Sequence, residues 1–198
     1  EGDDQIYGGD GGDTIEGGDD SDALYGGSGN DTITGGKGVD TIYGGAGNDT
    51  LVDFGDSTIY GGEGNDTFNH DGDNDPDNDG TYGLILYGEE GNDYFNYLTN
   101  VKIIDAGAGD DEVAILGNGT ASPTSIKGGD GYDKLTINAD YSYWSIISGF
   151  EEISADGTGA IPDHIGAAGT TLYFNYVNYG HLDFSAESDA QIVINGDT

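Results

Sequence analysis

The chain has 198 residues, enough for one or two domains, yet only 34% are hydrophobic and 39 are glycine. Its 39 acidic residues face four Lys and Arg, for a formal net charge of −35; nucleic acid needs clustered basic groups and is excluded, anionic membrane surfaces are disfavoured for the same reason, and a cation is invited. There is no cysteine to staple a small core and no apolar run long enough to span a membrane.

The opening EGDDQIY enters in mid-pattern, with no signal peptide ahead of it, so the sequence reads as a segment of a longer chain. From Gly8 it continues GGDGGDTIE, GGDDSDALY, GGSGNDTIT, GGKGVDTIY and GGAGNDTLV, a period of nine. A copy one residue short, DFGDSTIY, precedes GGEGNDTFN; later copies are GEEGNDYFN, AGAGDDEVA and GGDGYDKLT. The common form is Gly-Gly-x-Gly-x-Asp-x-U-x, with U a large apolar residue. Acids and aliphatics both keep this register, which an acidic disordered chain has no reason to do.

The nonapeptide resembles the calcium-binding repeat of the RTX (repeats-in-toxin) family, over residues 1 to about 136. That resemblance implies two nonapeptides per coil, with two short strands and two glycine-rich turns, one on each side of a flattened roll. The fold class expected is all-β: a right-handed parallel β-roll continuing into a β-rich, aromatic-containing cap or β-helix. The residue chemistry points the same way. Glycine lets the turn backbone take positive φ and crowd toward a ligand. Calcium takes six to eight oxygens from carboxylates and carbonyls. The eighth-position residues Ile6, Ile15, Leu24, Ile33, Ile42, Leu51, Ile59 and Phe68 are expected to point inward. One aliphatic side chain per nine residues does not offset the entropy of ordering them, so metal binding and folding should be one event.

Sorted by side of the roll, the sixth-position aspartates fall into two rows. One carries Asp13, Asp31, Asp49, Asp66, Asp93, Asp111 and Asp133. The other carries Asp4, Asp22 and Asp40, and then fails at Ser57, Leu84, Lys102 and Ser125, with Asp56 a candidate to replace Ser57. Shared between neighbouring coils, these rows hold about eight calcium ions, which would bring the charge from −35 to about −19. Phe68 and Leu86 enclose either an enlarged turn or a whole degraded coil; the enlarged turn is favoured, because HDGDNDPDNDG has nothing to point into a core. Within this acidic insertion at 70–80, Asp75, Asp77 and Asp79 occupy positions 1, 3 and 5 of an EF-hand-like loop with Gly80 at position 6, although Leu86 stands where the position-12 Glu belongs. It reads as one further calcium site or as a flexible acidic loop. His70 beside it is more readily explained by loop polarity than as a minor ligand.

Beyond residue 88 each coil has one calcium side and one irregular side, with Ile104, Val113, Ile126 and Leu135 still inward. The pattern ends after Asp133, so 1–136 is the roll and 137–198 a β-structured cap or continued β-helix. TTLYFNYVNYGHLDFS and AQIVING read as strands. The aromatics Tyr141, Tyr143, Trp144, Phe150, Tyr173, Phe174, Tyr176, Tyr179 and Phe184 read as core and cap before they read as a sugar platform.

No zinc-protease, nucleophile-elbow or phosphate-loop motif occurs, and His70, His164 and His181 lack a zinc-like spacing. Asp163-His164 is an adjacent pair of a kind common in loops. The reading is therefore not an enzyme but a calcium-folded structural region of a secreted bacterial protein of surface-layer or adhesin type, with self-assembly or a cell-surface polysaccharide as further partners. The alternatives are a module beside the catalytic domain of a secreted protease, lipase or polysaccharide epimerase, and a carbohydrate-binding module. The family resemblance also implies type I secretion and an extracellular location.

Overall fold

The computed structural model describes residues 2–70, 83–96, 101–116, 124–138, 147–156, 165–166, 171–175 and 191–195. Each strand of the regular region joins the end of one nonapeptide to the start of the next, as in TIEGGD, so the apolar eighth position sits early in the strand and the glycines lead into the corner. At the corners Gly9 and Gly11 have φ of 107° and 106°, a left-handed region closed to most side chains.

The strands alternate between two parallel sheets. One contains, in order, β1 (Gln5–Asp10), β3 (Ala23–Ser28), β5 (Thr41–Ala46), β7 (Thr58–Glu63), β9 (Leu84–Glu90), β11 (Val101–Ala108), β13 (Ser125–Asp130), β15 (Ile147–Ser148) and β17 (Ile165–Gly166). The other contains β2 (Thr14–Asp19), β4 (Thr32–Lys37), β6 (Thr50–Asp53), β8 (Thr67–His70), β10 (Tyr94–Asn96), β12 (Glu112–Leu116), β14 (Lys134–Asn138), β16 (Glu152–Asp156), β18 (Thr171–Asn175) and β19 (Gln191–Asn195). This is the expected parallel β-roll; among the described residues the first sheet runs on to β17 and the second to β19. Among the described residues there is no helix, and so none long and apolar enough to cross a membrane.

Register stacks like on like. Ile6, Leu24, Ile42, Ile59, Leu86, Ile104, Ile126 and Ile147 are successive partners in the first sheet. Ile15, Ile33, Leu51, Phe68, Phe95, Val113, Leu135 and Ile153 are successive partners in the second. All are buried except Ile6, which is half-buried at the end of the stack. Phe68 and Phe95 stack at 4.4 Å between ring centroids and close the core where the chain has skipped ahead. Phe150, one of the aromatics read as core, is buried against the same cluster.

The direct pairing of β8 with β10, and of β7 with β9, resolves the choice between Phe68 and Leu86 in favour of the turn: no further coil lies between these layers. One position needs correcting. Ser125 pairs with Ile103 as a strand residue, and Thr124 holds the corner slot, donating its N–H and its hydroxyl to the Lys102 carbonyl at 2.8 Å each.

On the outer face of the first sheet, ninth-position tyrosines form a pile. Tyr7, Tyr25, Tyr43, Tyr60 and Tyr87 stack with centroids 4.6–5.0 Å apart and planes within 11° of parallel. Their faces cover one another and leave edges and hydroxyls toward solvent.

Candidate metal centre

The corners bring the sixth-position aspartates into two columns, each knitted by hydrogen bonds from coil to coil. In the first, the backbone N–H of Asp13 donates to Oδ1 of Asp31 at 2.7 Å, and the same bond recurs from Asp31 to Asp49, Asp49 to Asp66, Asp66 to Asp93, Asp93 to Asp111 and Asp111 to Asp133 at 2.7–2.9 Å. The column goes one step further, since Asp133 N–H donates to Oε2 of Glu151 at 2.8 Å. In the second column Asp4 donates to Asp22 and Asp22 to Asp40, each at 2.8 Å. It then ends on a neutral acceptor, Ser57 Oγ, at 2.8 Å from Asp40 N. Asp56 does not take that place: its Oδ1 accepts Gly83 N–H at 2.7 Å.

From Asp22 and Asp31 onward, each column aspartate thus spends Oδ1 on the backbone. Oδ2 of Asp13, Asp22, Asp31, Asp40, Asp49, Asp66, Asp93, Asp111 and Asp133 is buried and meets no donor. These oxygens aim at the space beside the first glycine of their own turn. A Cβ built on Gly8 would lie 2.6 Å from both Asp13 Oδ2 and the carbonyl oxygen of Gly26, one coil along; on Gly17 it would lie 2.5 Å from Asp22 Oδ2 and 2.7 Å from the Gly35 carbonyl. The Gly26, Gly44, Gly61, Gly88 and Gly128 turns repeat the arrangement, and Ala106 stands at this position in the Asp111 turn.

A buried anionic oxygen without a donor is costly, and the next coil adds another. Burial first, opposed by the backbone N–H and reinforced by neighbouring carboxylates, pushes Asp66 and Asp93 up to about 7. Asp40 rises to about 7 and Asp133 to about 6, again mainly through burial. Asp49 and Asp111 are raised for the same reason. Protein cations do little to relieve this. Lys37 pairs with Asp19 at 3.5 Å and Lys127 with Asp105 at 3.0 Å, both in water and away from the columns.

The donor set suits a hard divalent cation: carboxylate oxygens without protons to accept, interleaved with backbone carbonyls, and no sulfur. Among the described residues no three His, Asp or Glu side chains converge, so the oxygens beyond each carboxylate come from the backbone. The column aspartates would hold calcium through Oδ2, together with turn carbonyls such as those of Gly26, Gly35, Gly44, Gly61 and Gly88. Bound there, calcium supplies positive charge that offsets the stacked carboxylates and ties adjacent coils together. Asp4 lies at the exposed outer end of its column. Asp75, Asp77 and Asp79, together with Asp163, His164 and His181, lie outside the described residues. His70 belongs to β8; it is buried, and its Nδ1 donates to the Asp53 carbonyl at 2.7 Å.

Two acidic residues at the columns escaped the sequence reading. Glu151 stands two residues before the inward Ile153, the same offset that separates each column aspartate from its apolar residue, but of the turn glycines only Gly149 precedes it. Asp53 is wholly buried at the start of the one-residue-short copy, where the regular nonapeptides from Gly8 to Gly44 carry Gly-Gly.

A family model described as the RTX calcium-binding nonapeptide repeat (4 copies) matches residues 1–24, 16–51 and 53–75. No curated protein and no solved structure matches the chain. With the parallel coils and the columns of donor-free carboxylates, the match leads to one conclusion: the chain carries RTX calcium-binding nonapeptide repeats, and they build a calcium-binding β-roll.

Proposed function

We propose that this chain is a structural region of a secreted bacterial protein, of surface-layer or adhesin type, that folds when it meets calcium outside the cell. The reading is carried by the stacked, buried carboxylate oxygens that have no protein donor. Without a cation this array opposes its own fold; with one it becomes the link between coils. Such a chain stays unfolded where calcium is scarce and folds by mass action where it is abundant, which suits type I export of an extended polypeptide. Extracellular calcium modules bind at roughly 10⁻⁴–10⁻³ M, between the two regimes. A structural role is supported by the length of the array and by the lack of a catalytic motif in the sequence.

The test is circular dichroism across a calcium titration, with bound ions counted in parallel. A coil-like spectrum in chelator that becomes β-rich as ions bind is expected. A β spectrum unchanged by complete calcium removal would refute the reading.

A further inference from the structure

The second column ends differently from the first, and its last turn carries a second carboxylate where the others have none. At Gly8, Gly17, Gly26, Gly44 and Gly61, the space beside the first turn glycine is bounded by one aspartate Oδ2 and one backbone carbonyl from the next coil. At Gly35 it is bounded by Asp40 Oδ2 and, in place of the carbonyl, by Asp53 Oδ1. Asp53 is 0% exposed and Asp40 1%. Neither inward oxygen has a hydrogen-bond donor.

The other oxygens of both carboxylates are committed. Asp40 Oδ1 accepts Asp22 N–H at 2.8 Å, and Asp53 Oδ2 accepts Gly55 N–H at 2.9 Å. His70 Nδ1 donates to the Asp53 carbonyl and holds that backbone in register from the neighbouring strand. Both carboxylates are therefore anchored on one side and aim their unpaired oxygens at the same point. Two buried anionic oxygens facing each other need either a shared proton or a cation.

We propose that Asp40 and Asp53 form a divalent-cation site that closes the second column, extending it one ion beyond the Asp4–Asp22–Asp40 row. This rests on the reading of the roll as calcium-filled. The site differs in kind from its neighbours: two side-chain carboxylates from adjacent coils oppose the ion, where a repeat cage has one carboxylate and a neutral carbonyl. It is placed in the copy that departs from the nonapeptide, where an aspartate stands in the inward-facing first position that holds glycine in the regular turns.

The experiment counts calcium per chain by elemental analysis of protein equilibrated at fixed free calcium, for wild type, Asp53→Asn and Asp56→Asn, with circular dichroism on each. Asp53→Asn is expected to hold one ion fewer with its β signal retained, and Asp56→Asn as many as wild type. An unchanged count for Asp53→Asn means that the carboxyl pair shares a proton only, and overturns the proposal. If wild type binds no calcium, the calcium-filled roll itself fails and this site with it. A crystal structure of calcium-loaded wild type decides the matter without substitution, should Asp53→Asn not fold. An ion bonded to both Asp40 and Asp53 upholds the site; filled repeat cages with no ion between these two overturn it.

Discussion

Asp66 does two separable jobs, and two substitutions at one position should pull them apart. Its Oδ1 accepts Asp49 N–H at 2.8 Å, and its own N–H donates to Asp93 Oδ1 at 2.8 Å. Its Oδ2 faces the calcium space beside Gly61, bounded on the far side by the Gly88 carbonyl. Asp66→Asn keeps an oxygen at the Oδ1 position and replaces Oδ2 with an amide, which removes the charge and can donate to the Gly88 carbonyl. Asp66→Ala removes both functions and leaves the Asp49 N–H buried without an acceptor, a loss of about 1–3 kcal/mol. Each calcium ion lost costs a further ~2.7 kcal/mol when free calcium stands at about a hundred times its dissociation constant. Urea denaturation in saturating calcium, with ions counted, should therefore show both variants binding fewer ions than wild type. Asp66→Ala should also be less stable than Asp66→Asn by about 1–3 kcal/mol. If Asp66→Asn bound the full complement of ions, Oδ2 would not be a ligand and the donor-free oxygens would need another explanation. If the two variants were equally stable, the coil-to-coil bond through Oδ1 would carry no load.

Metal-free protein should respond to acid in the opposite sense to most proteins. Asp40, Asp66 and Asp93 lie near 7 in the fold, against an ordinary value of 3.8, so the fold holds protons that the unfolded chain has released. The stability this contributes is complete below the ordinary carboxylate value and is lost as pH rises through about 7. Calcium-free chain should then gain β signal by circular dichroism between pH 8 and pH 5, on the order of the titration range involved, and calcium affinity should weaken as pH falls below about 7. A β signal that grows with rising pH in the absence of calcium would contradict this. Gly64→Ala and Gly11→Ala both force a side chain into positive φ, at 120° and 106°, but only at Gly64 would the new Cβ run into a neighbouring carbonyl, that of Gly47. Gly11→Ala should lose about 1–2 kcal/mol by urea denaturation in calcium and Gly64→Ala distinctly more. Lys102→Ala, on the second side and past the point where its aspartate column ends at Ser57, should leave the ion count unchanged.

The nine-residue register carried most of this architecture in plain view. Because Ile, Leu and Phe recur at the eighth position, their burial and their pairing through Ile15, Ile33, Leu51 and Phe68 follow from counting. The same count separates Asp13 from Asp22 and places them in different columns. What escaped notice did so for physical reasons. Asp53 acts from the first-position slot, which faces inward in the regular turns as well but there holds glycine, so the repeat pattern offers no carboxylate at that position to compare it with. Glu151 keeps the column's spacing and the fourth-position glycine, Gly149, but has lost the leading Gly-Gly and the aspartate that mark the other copies. The tyrosine pile was written at the ninth position throughout, yet an outward residue carries no burial signal, and only coordinates show whether such rings overlap. For 71–82, composition alone could not separate an extra coil from a long turn. The pairing of Phe68 with Phe95 could, because a core side chain must find its partner one layer up.

The two margins of this molecule tolerate change unequally. Along one runs a continuous spine from Asp13 to Glu151, in which every rung is bonded to the next and an interruption would sever the chain of support. Along the other, thirteen residues lie between β8 and β9 and the layers above resume in step, because each layer takes its position from its neighbour below and not from distance along the polypeptide. Past Ser57 that margin is where a long connection is accommodated without disturbing the stack, and so where such a scaffold has room to acquire the features by which it meets its surroundings.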